Sequence, residues 1–273
     1  MVLATAISHA SWNAFIKSRS DRLVGMALIG LGGGILAAVA LPFFEIPADP
    51  LFWQIMVLSV GVHTFYNYFL SVAYTHGDLG QIYPIARGGG PLIVAIVSVL
   101  FLGVAFDVAT TVGLAFLIGS IMLLALWSGA APGTRLKPFI YAAITAALIA
   151  AYTLIDAAGA RLETGPHVFV MWMCFLDGIM IFLVCVSLRG RAALTAMRSD
   201  WGAGLIAGAI ALIGYWIVLW AYTQAPVPIV AALRETSVIF AALIGTVFLG
   251  ERMTPAKAYA AIGVVIGIVL LRV

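Results

Sequence analysis

The sequence predicts an all-α integral membrane protein: ten transmembrane helices in two inverted five-helix repeats around a central cavity. Three observations carry this. The 273 residues are 64% hydrophobic and only 9% charged, whereas soluble domains carry about 25% charged residues. Apolar stretches near the roughly 20 residues that span a bilayer follow one another almost without pause. Residues 73–104 and 221–251 also repeat each other: Ala73-Tyr74-Thr75 returns as Ala221-Tyr222-Thr223, and Phe101-Leu102-Gly103 as Phe248-Leu249-Gly250. Arg87 then falls on Arg234. A duplicated membrane unit with a charge inside each copy points to a transporter built from two halves.

The spans are expected near 1–17, 22–42, 51–75, 80–102, 108–127, 138–159, 167–188, 201–223, 228–249 and 255–271. Span 1 has no basic start and no small-x-small cleavage site, and His9, Ser11 and Asn13 interrupt it. It therefore reads as a membrane segment rather than a signal peptide. His9, Trp12, Asn13 and Ile16 share one face of it by helical spacing. Span 2 carries Gly30 and Gly34, which suit close helix packing. In span 3, His63, Tyr66, Asn67 and Tyr74 line one face.

Span 4 contains Pro84-Ile-Ala-Arg-Gly-Gly-Gly-Pro91, with Tyr83 and Arg87 on one face. Interior Gly and Pro disfavour a helix by about 1 and 3 kcal/mol each, so an irregular, cavity-lining segment is expected here. The alternative is that the glycines only admit close neighbours. Span 5 closes the first half and span 6, with Asp156, opens the second. Span 7 holds Asp177 together with Cys174 and Cys185, which lie about 16 Å apart along a helix and cannot form a disulfide. Span 8 shows a Trp216/Trp220 stripe beside a Tyr215/Leu219/Tyr222 stripe, with Gly204 and Gly208 for packing. Span 9 carries Arg234 and Glu235, and span 10 has Gly263 and Gly267.

Loop charges set the topology. The loops after odd-numbered spans hold ten basic residues: Lys17, Arg19, Arg22, Arg135, Lys137, Arg189, Arg191, Arg198, Arg252 and Lys257. The other side holds only Arg161 and Arg272. The positive-inside rule then places odd loops in the cytoplasm and both termini outside, in a bacterial-type inner membrane. Five spans per half is an odd number, so the repeats 1–130 and 131–273 are expected to insert upside down relative to each other.

His9-Ala10-Ser11-Trp12-Asn13-Ala14 with Lys17, Tyr83-Pro84-Ile85-Ala86-Arg87, and Phe248-Leu249-Gly250-Glu251-Arg252 carry a resemblance. In that order they resemble EamA-type members of the drug/metabolite transporter superfamily. Val104 stands where an acidic residue follows Phe101-Leu102-Gly103 in that pattern. The resemblance implies alternating access and export of small metabolites, with amino-acid exporters as the functional analogue.

Five charges sit well inside the spans: Arg87, Asp156, Asp177, Arg234 and Glu235. Each disfavours insertion by about 2.5–3.5 kcal/mol at a helix centre. They either form an ion-pair network joining the halves or bind a substrate headgroup or proton. Arg234 and Glu235 should diverge by about 100° on a regular helix and so need other partners, with Asp156 or Asp177 available to the arginines. Candidate substrate-binding residues are Trp12, Asn13, His63, Tyr66, Asn67, Tyr83, Arg87, Tyr215, Trp216, Arg234 and Glu235. Candidate coupling or ion-pair residues are Asp156, Asp177 and Glu235. His63 reads as a hydrogen-bonded structural residue rather than a proton carrier, while Trp53, Trp127 and Trp201 suit the membrane interface.

The expected function is a secondary carrier for a small, partly apolar solute, with an aromatic or other large apolar amino acid first. An organic anion or phosphonate held by Arg87 and Arg234, and a cationic drug, are the alternatives. A membrane scaffold or receptor is the reading outside transport. No catalytic motif, metal cluster or cofactor signature stands out, so no enzyme, cofactor, metal or nucleic-acid partner is expected. The bilayer, the solute and a coupling proton or counter-substrate are the expected partners.

Overall fold

In the order of the chain, apolar runs become helices, and polar or glycine-marked breaks become the turns between them. The computed structural model describes residues 2, 5, 21–76, 79–127, 137–237, 239 and 254–271. Among these, ten α-helices form: α1 (Arg22–Ala40), α2 (Pro50–His76), α3 (Leu79–Leu100), α4 (Val108–Trp127) and α5 (Lys137–Ala160), then α6 (Gly165–Arg189), α7 (Arg191–Ser199), α8 (Trp201–Gln224), α9 (Val227–Arg234) and α10 (Pro255–Leu270). No strand occurs among the described residues. Expected spans 2–8 and 10 correspond to α1–α6, α8 and α10. Apart from residues 2, 5 and 239, span 1 and the part of span 9 after residue 237 lie outside the described residues.

Arg22–Phe43, Pro50–Ala73, Phe139–Ala160, Gly165–Arg189 and Trp201–Gln224 are long and apolar enough to cross a bilayer. Ile85–Leu100, Val108–Leu123 and Ala258–Leu270 are shorter apolar stretches. Large apolar side chains such as Leu183, Ile206, Ile262 and Val269 point outward, whereas Ser59, Arg87, Asp156, Arg234 and Glu235 are buried. Lipid tolerates the first set outside, and unpaired polar groups can be satisfied only within the protein.

The α7 helix was not anticipated. Gly190, at φ 61°, ends α6 in a conformation that favours glycine. The chain then turns into a short helix that buries Ala193 and Met197 and exposes Arg191 and Thr195. Asp21 caps α1 by accepting from Leu23 N and Val24 N, and also receives Arg189 Nε at 2.7 Å. The loops after spans 1 and 7 therefore meet on one face, the basic one.

Two expectations about irregularity are reversed. The Pro84–Pro91 segment does not break its span, because α3 is continuous from Leu79 to Leu100. Its glycines serve packing: a Cβ on Gly89 would lie 2.9 Å from Ala146 Cβ, and one on Gly90 would lie 2.5 Å from Ile149 Cγ2. The break falls instead in span 9, where α9 stops at Arg234 and Glu235-Thr236 form a turn.

Glycines also decide the packing between halves. α1 packs most extensively on α6, and α4 packs next most extensively on α10. These are equivalent elements of the expected repeats. A Cβ on Gly178 would meet Gly30 O at 2.5 Å, and one on Gly267 would meet Gly113 O at 2.9 Å. Gly32 sits equally close to Gly204 O, at 2.6 Å, where α1 crosses α8. The small-x-x-x-small pairs thus act within the chain, letting backbones touch where side chains would hold them apart.

Candidate functional site

Helices α1, α2, α5, α6, α8 and α9 surround a cavity of about 150 Å³. α1 supplies Met26, Ile29, Gly30 and Gly33, a smooth apolar wall that its glycines keep open. The face of α2 read from helical spacing supplies His63, Tyr66 and Asn67. Thr5, Tyr152, Asp177, Tyr215 and Arg234 add to the polar lining, and Leu212 and Val218 extend the apolar part.

Asp156 anchors one side of the cavity from behind. It is completely buried and accepts from Ser59 Oγ, Tyr215 OH and, at 2.8 Å, His63 Nε2. A carboxylate is an acceptor only, so His63 presents Nε2–H to it. The His63 ring stacks on Tyr152 with centroids 4.2 Å apart, and Tyr66 meets Tyr152 edge-on at 5.2 Å. His63 is thus hydrogen-bonded as expected and forms part of an aromatic wall as well.

Behind the other side, Arg87 and Arg234 converge on Glu235. Arg87 approaches Glu235 Oε2 at 3.3 Å, and Arg234 Nε donates to Oε1 at 3.0 Å. All three side chains are at most 3% exposed. Arg234 also reaches Tyr222 OH at 3.5 Å and Tyr152 OH at 3.4 Å, with its guanidinium 5.6 Å above the Tyr152 ring. The expected divergence of Arg234 and Glu235 is corrected here: the helix ends between them, so the 100° step of a regular helix no longer separates them. The pairing that the sequence left open goes to Glu235, which meets both arginines, rather than to Asp156 or Asp177.

Asp177 stands apart. It faces the cavity, lies within reach of Asn67, and its buried Oδ1 has no hydrogen-bond partner. Arg234 and Asp177 therefore place a guanidinium and a carboxyl group on one cavity surface.

The structure brings His63, Tyr66, Asn67, Tyr215, Arg234 and Asp177 to the cavity and places Arg87, Glu235 and Asp156 just behind it. Trp216 does not belong there: its Nε1 donates to His167 Nδ1 at 2.6 Å, away from the lining. Trp12 and Asn13 lie outside the described residues, as does the Tyr83 side chain. Tyr152 was missed by sequence reasoning, although its i,i+4 spacing to Asp156 on α5 signalled it. Ser59, one turn before His63, was missed for want of any charge.

Outside the membrane, burial alone would raise the Asp21 carboxyl. The Arg189 hydrogen bond, the N–H groups of Val24 and Leu23 and the Arg189 charge outweigh this and hold it below the ordinary carboxylate range.

The EamA-like transporter family model matches residues 137–273, half of the chain. No curated protein matches. A crystal structure titled only as that of a protein is similar over 99% of this chain and 94% of its own, with 19% identity and a TM-score of 0.75. That similarity speaks for the fold alone.

Proposed function

The chain belongs to the EamA-like transporter family, and from that premise we propose that this multi-pass membrane transporter is a secondary carrier exporting large apolar amino acids. The observation that carries this reading is Arg234 and the partner-free Asp177 Oδ1 on one largely apolar, aromatic cavity. Two arginines share one glutamate, which leaves a single positive charge for a substrate carboxylate. Arg234 uses three of its five N–H groups on Glu235, Tyr222 and Tyr152. Asp177 receives the ammonium, and Tyr66, Tyr152, Met26 and Leu212 surround the side chain.

An organic anion held between Arg87 and Arg234 is the weaker reading, because Glu235 already fills that position. Alternating access proceeds between the repeats 1–130 and 131–273, and the α1–α6 and α4–α10 pairings support that division. Both termini face the exterior of a bacterial-type inner membrane. The Asp21–Arg189 pair supports placing these two loops on one side, and their basic charge supports making that side the cytoplasmic one. Ligand-induced thermal stabilisation of the purified protein tests the substrate class. Phenylalanine and tryptophan raise the unfolding temperature, and glucose and malate do not. The reverse pattern would contradict the assignment.

A further inference from the structure

Resting on the amino-acid carrier reading, we infer that Asp177 exchanges the substrate ammonium for a proton, so that one proton crosses inward for each amino acid exported. Among the described residues, no Lys, Arg or His forms an ion pair with the Asp177 carboxyl. Asp177 Oδ1 is buried without a partner, and an unpaired carboxylate at bilayer depth must gain a cation or a proton. The nearest donors are bonded to other carboxylates: Arg234 Nε to Glu235, and His63 Nε2 to Asp156.

Several helices share the cavity surface with Asp177. His63, Tyr66 and Asn67 face it from α2, and Tyr152 faces it from α5 with Asp156 behind. Tyr215 faces it from α8, Arg234 from α9 and Cys174 from its own helix. α1 contributes only apolar side chains and glycines. Of the carboxylates here, Asp156 and Glu235 are held by hydrogen bonds and ion pairs, so Asp177 is the one open to exchange.

The exchange balances. The Asp177 carboxyl loses its proton to water as the O–H bond breaks, and the carboxylate then accepts hydrogen bonds from the incoming –NH3+. One positive charge leaves the oxygen and one arrives, and no electron transfer is involved. The two occupants exclude each other, because a protonated carboxyl has no charge with which to hold an ammonium.

The test uses the full chain. In weakly buffered, mildly acidic detergent solution, phenylalanine or phenethylamine releases up to about one proton per bound molecule, and 3-phenylpropionate releases none. Asp177→Asn abolishes the release, and Asp177→Glu retains it. In liposomes with the potential clamped, an inside-acid gradient concentrates phenylalanine by up to about tenfold per pH unit. If Asp177→Asn does not fold, the proton release and gradient response of the unaltered protein decide the matter. Phenylalanine counterflow at equal pH, with no proton release and no gradient response, would overturn the exchange while leaving the carrier reading intact. Proton release retained in Asp177→Asn would also overturn it. Absence of counterflow with every solute would overturn both.

Discussion

Arg87 and Glu235, 148 positions apart, meet at 3.3 Å in the interior of the membrane domain. The contact joins α3 of the first half to the break after α9 in the second. Its carboxylate is shared with Arg234, so removing the glutamate leaves two buried guanidinium groups without a common counter-ion. Glu235→Gln is therefore expected to destabilise the protein by about 3–5 kcal/mol, the usual effect of breaking a buried ion pair. Denaturation of the detergent-purified protein checks this. A variant as stable as the parent would show that water or lipid reaches the cluster.

The cavity assignment separates two aromatic residues that look equivalent in sequence. Tyr152 stacks on His63 and lies under Arg234, whereas Trp216 is bonded to His167 outside the lining. Tyr152→Ala should narrow the preference for phenylalanine over glycine by several-fold. Trp216→Ala should leave that ratio unchanged. Competition assays with both amino acids report the difference, and a Trp216 effect as large as that of Tyr152 would contradict the lining.

Close backbone contact gives the glycines unequal weight. A Cβ at Gly178 would lie 2.5 Å from Gly30 O, while at Gly61 nothing lies within 4 Å. Gly178→Ala should force α1 and α6 apart and lower the unfolding temperature by several degrees. Gly61→Ala should be neutral or slightly stabilising, because alanine is the better helix former by about 1 kcal/mol. Equal behaviour of the two variants in a thermal melt would count against this packing.

Much of this was legible in the chain because apolar length and loop charge report directly on a bilayer. The α2 face of His63, Tyr66 and Asn67 followed from helical spacing alone. The helix break was misplaced for a physical reason. Gly88, Gly89 and Gly90 disfavour a helix locally, but Ile121, Met122, Ala146 and Ile149 pack against them and keep α3 continuous. In span 9 the break has no comparable glycine signal, and it lets Arg234 turn onto its own neighbour. Partner choice among Arg87, Arg234, Asp156, Asp177 and Glu235 depends on which helices cross, and span positions do not encode that. The pairing of Asp156 with Ser59, His63 and Tyr215 was out of reach for the same reason.

Asp21 links stability to pH at the basic face. Its carboxyl lies below the ordinary value in the folded protein, so its contribution is fully present above the unfolded value. That contribution fades as pH falls through the lowered folded value. Arg189→Ala should flatten this acidic limb by lowering stability at neutral pH, only slightly because the pair is partly exposed, and should leave stability at acid pH nearly unchanged. Melting curves of both proteins across the acidic range check it, and parallel limbs would contradict the linkage.

Counterflow tests the central claim most directly. Liposomes containing the protein and preloaded with unlabelled phenylalanine should transiently concentrate labelled phenylalanine from outside. Burial of a large apolar side chain contributes about 1.5–3 kcal/mol, so tryptophan should suppress the signal at concentrations at least about tenfold lower than glycine. Equal suppression by glycine and tryptophan, or suppression only by phosphonates or dicarboxylates, would contradict a cavity built for large apolar amino acids.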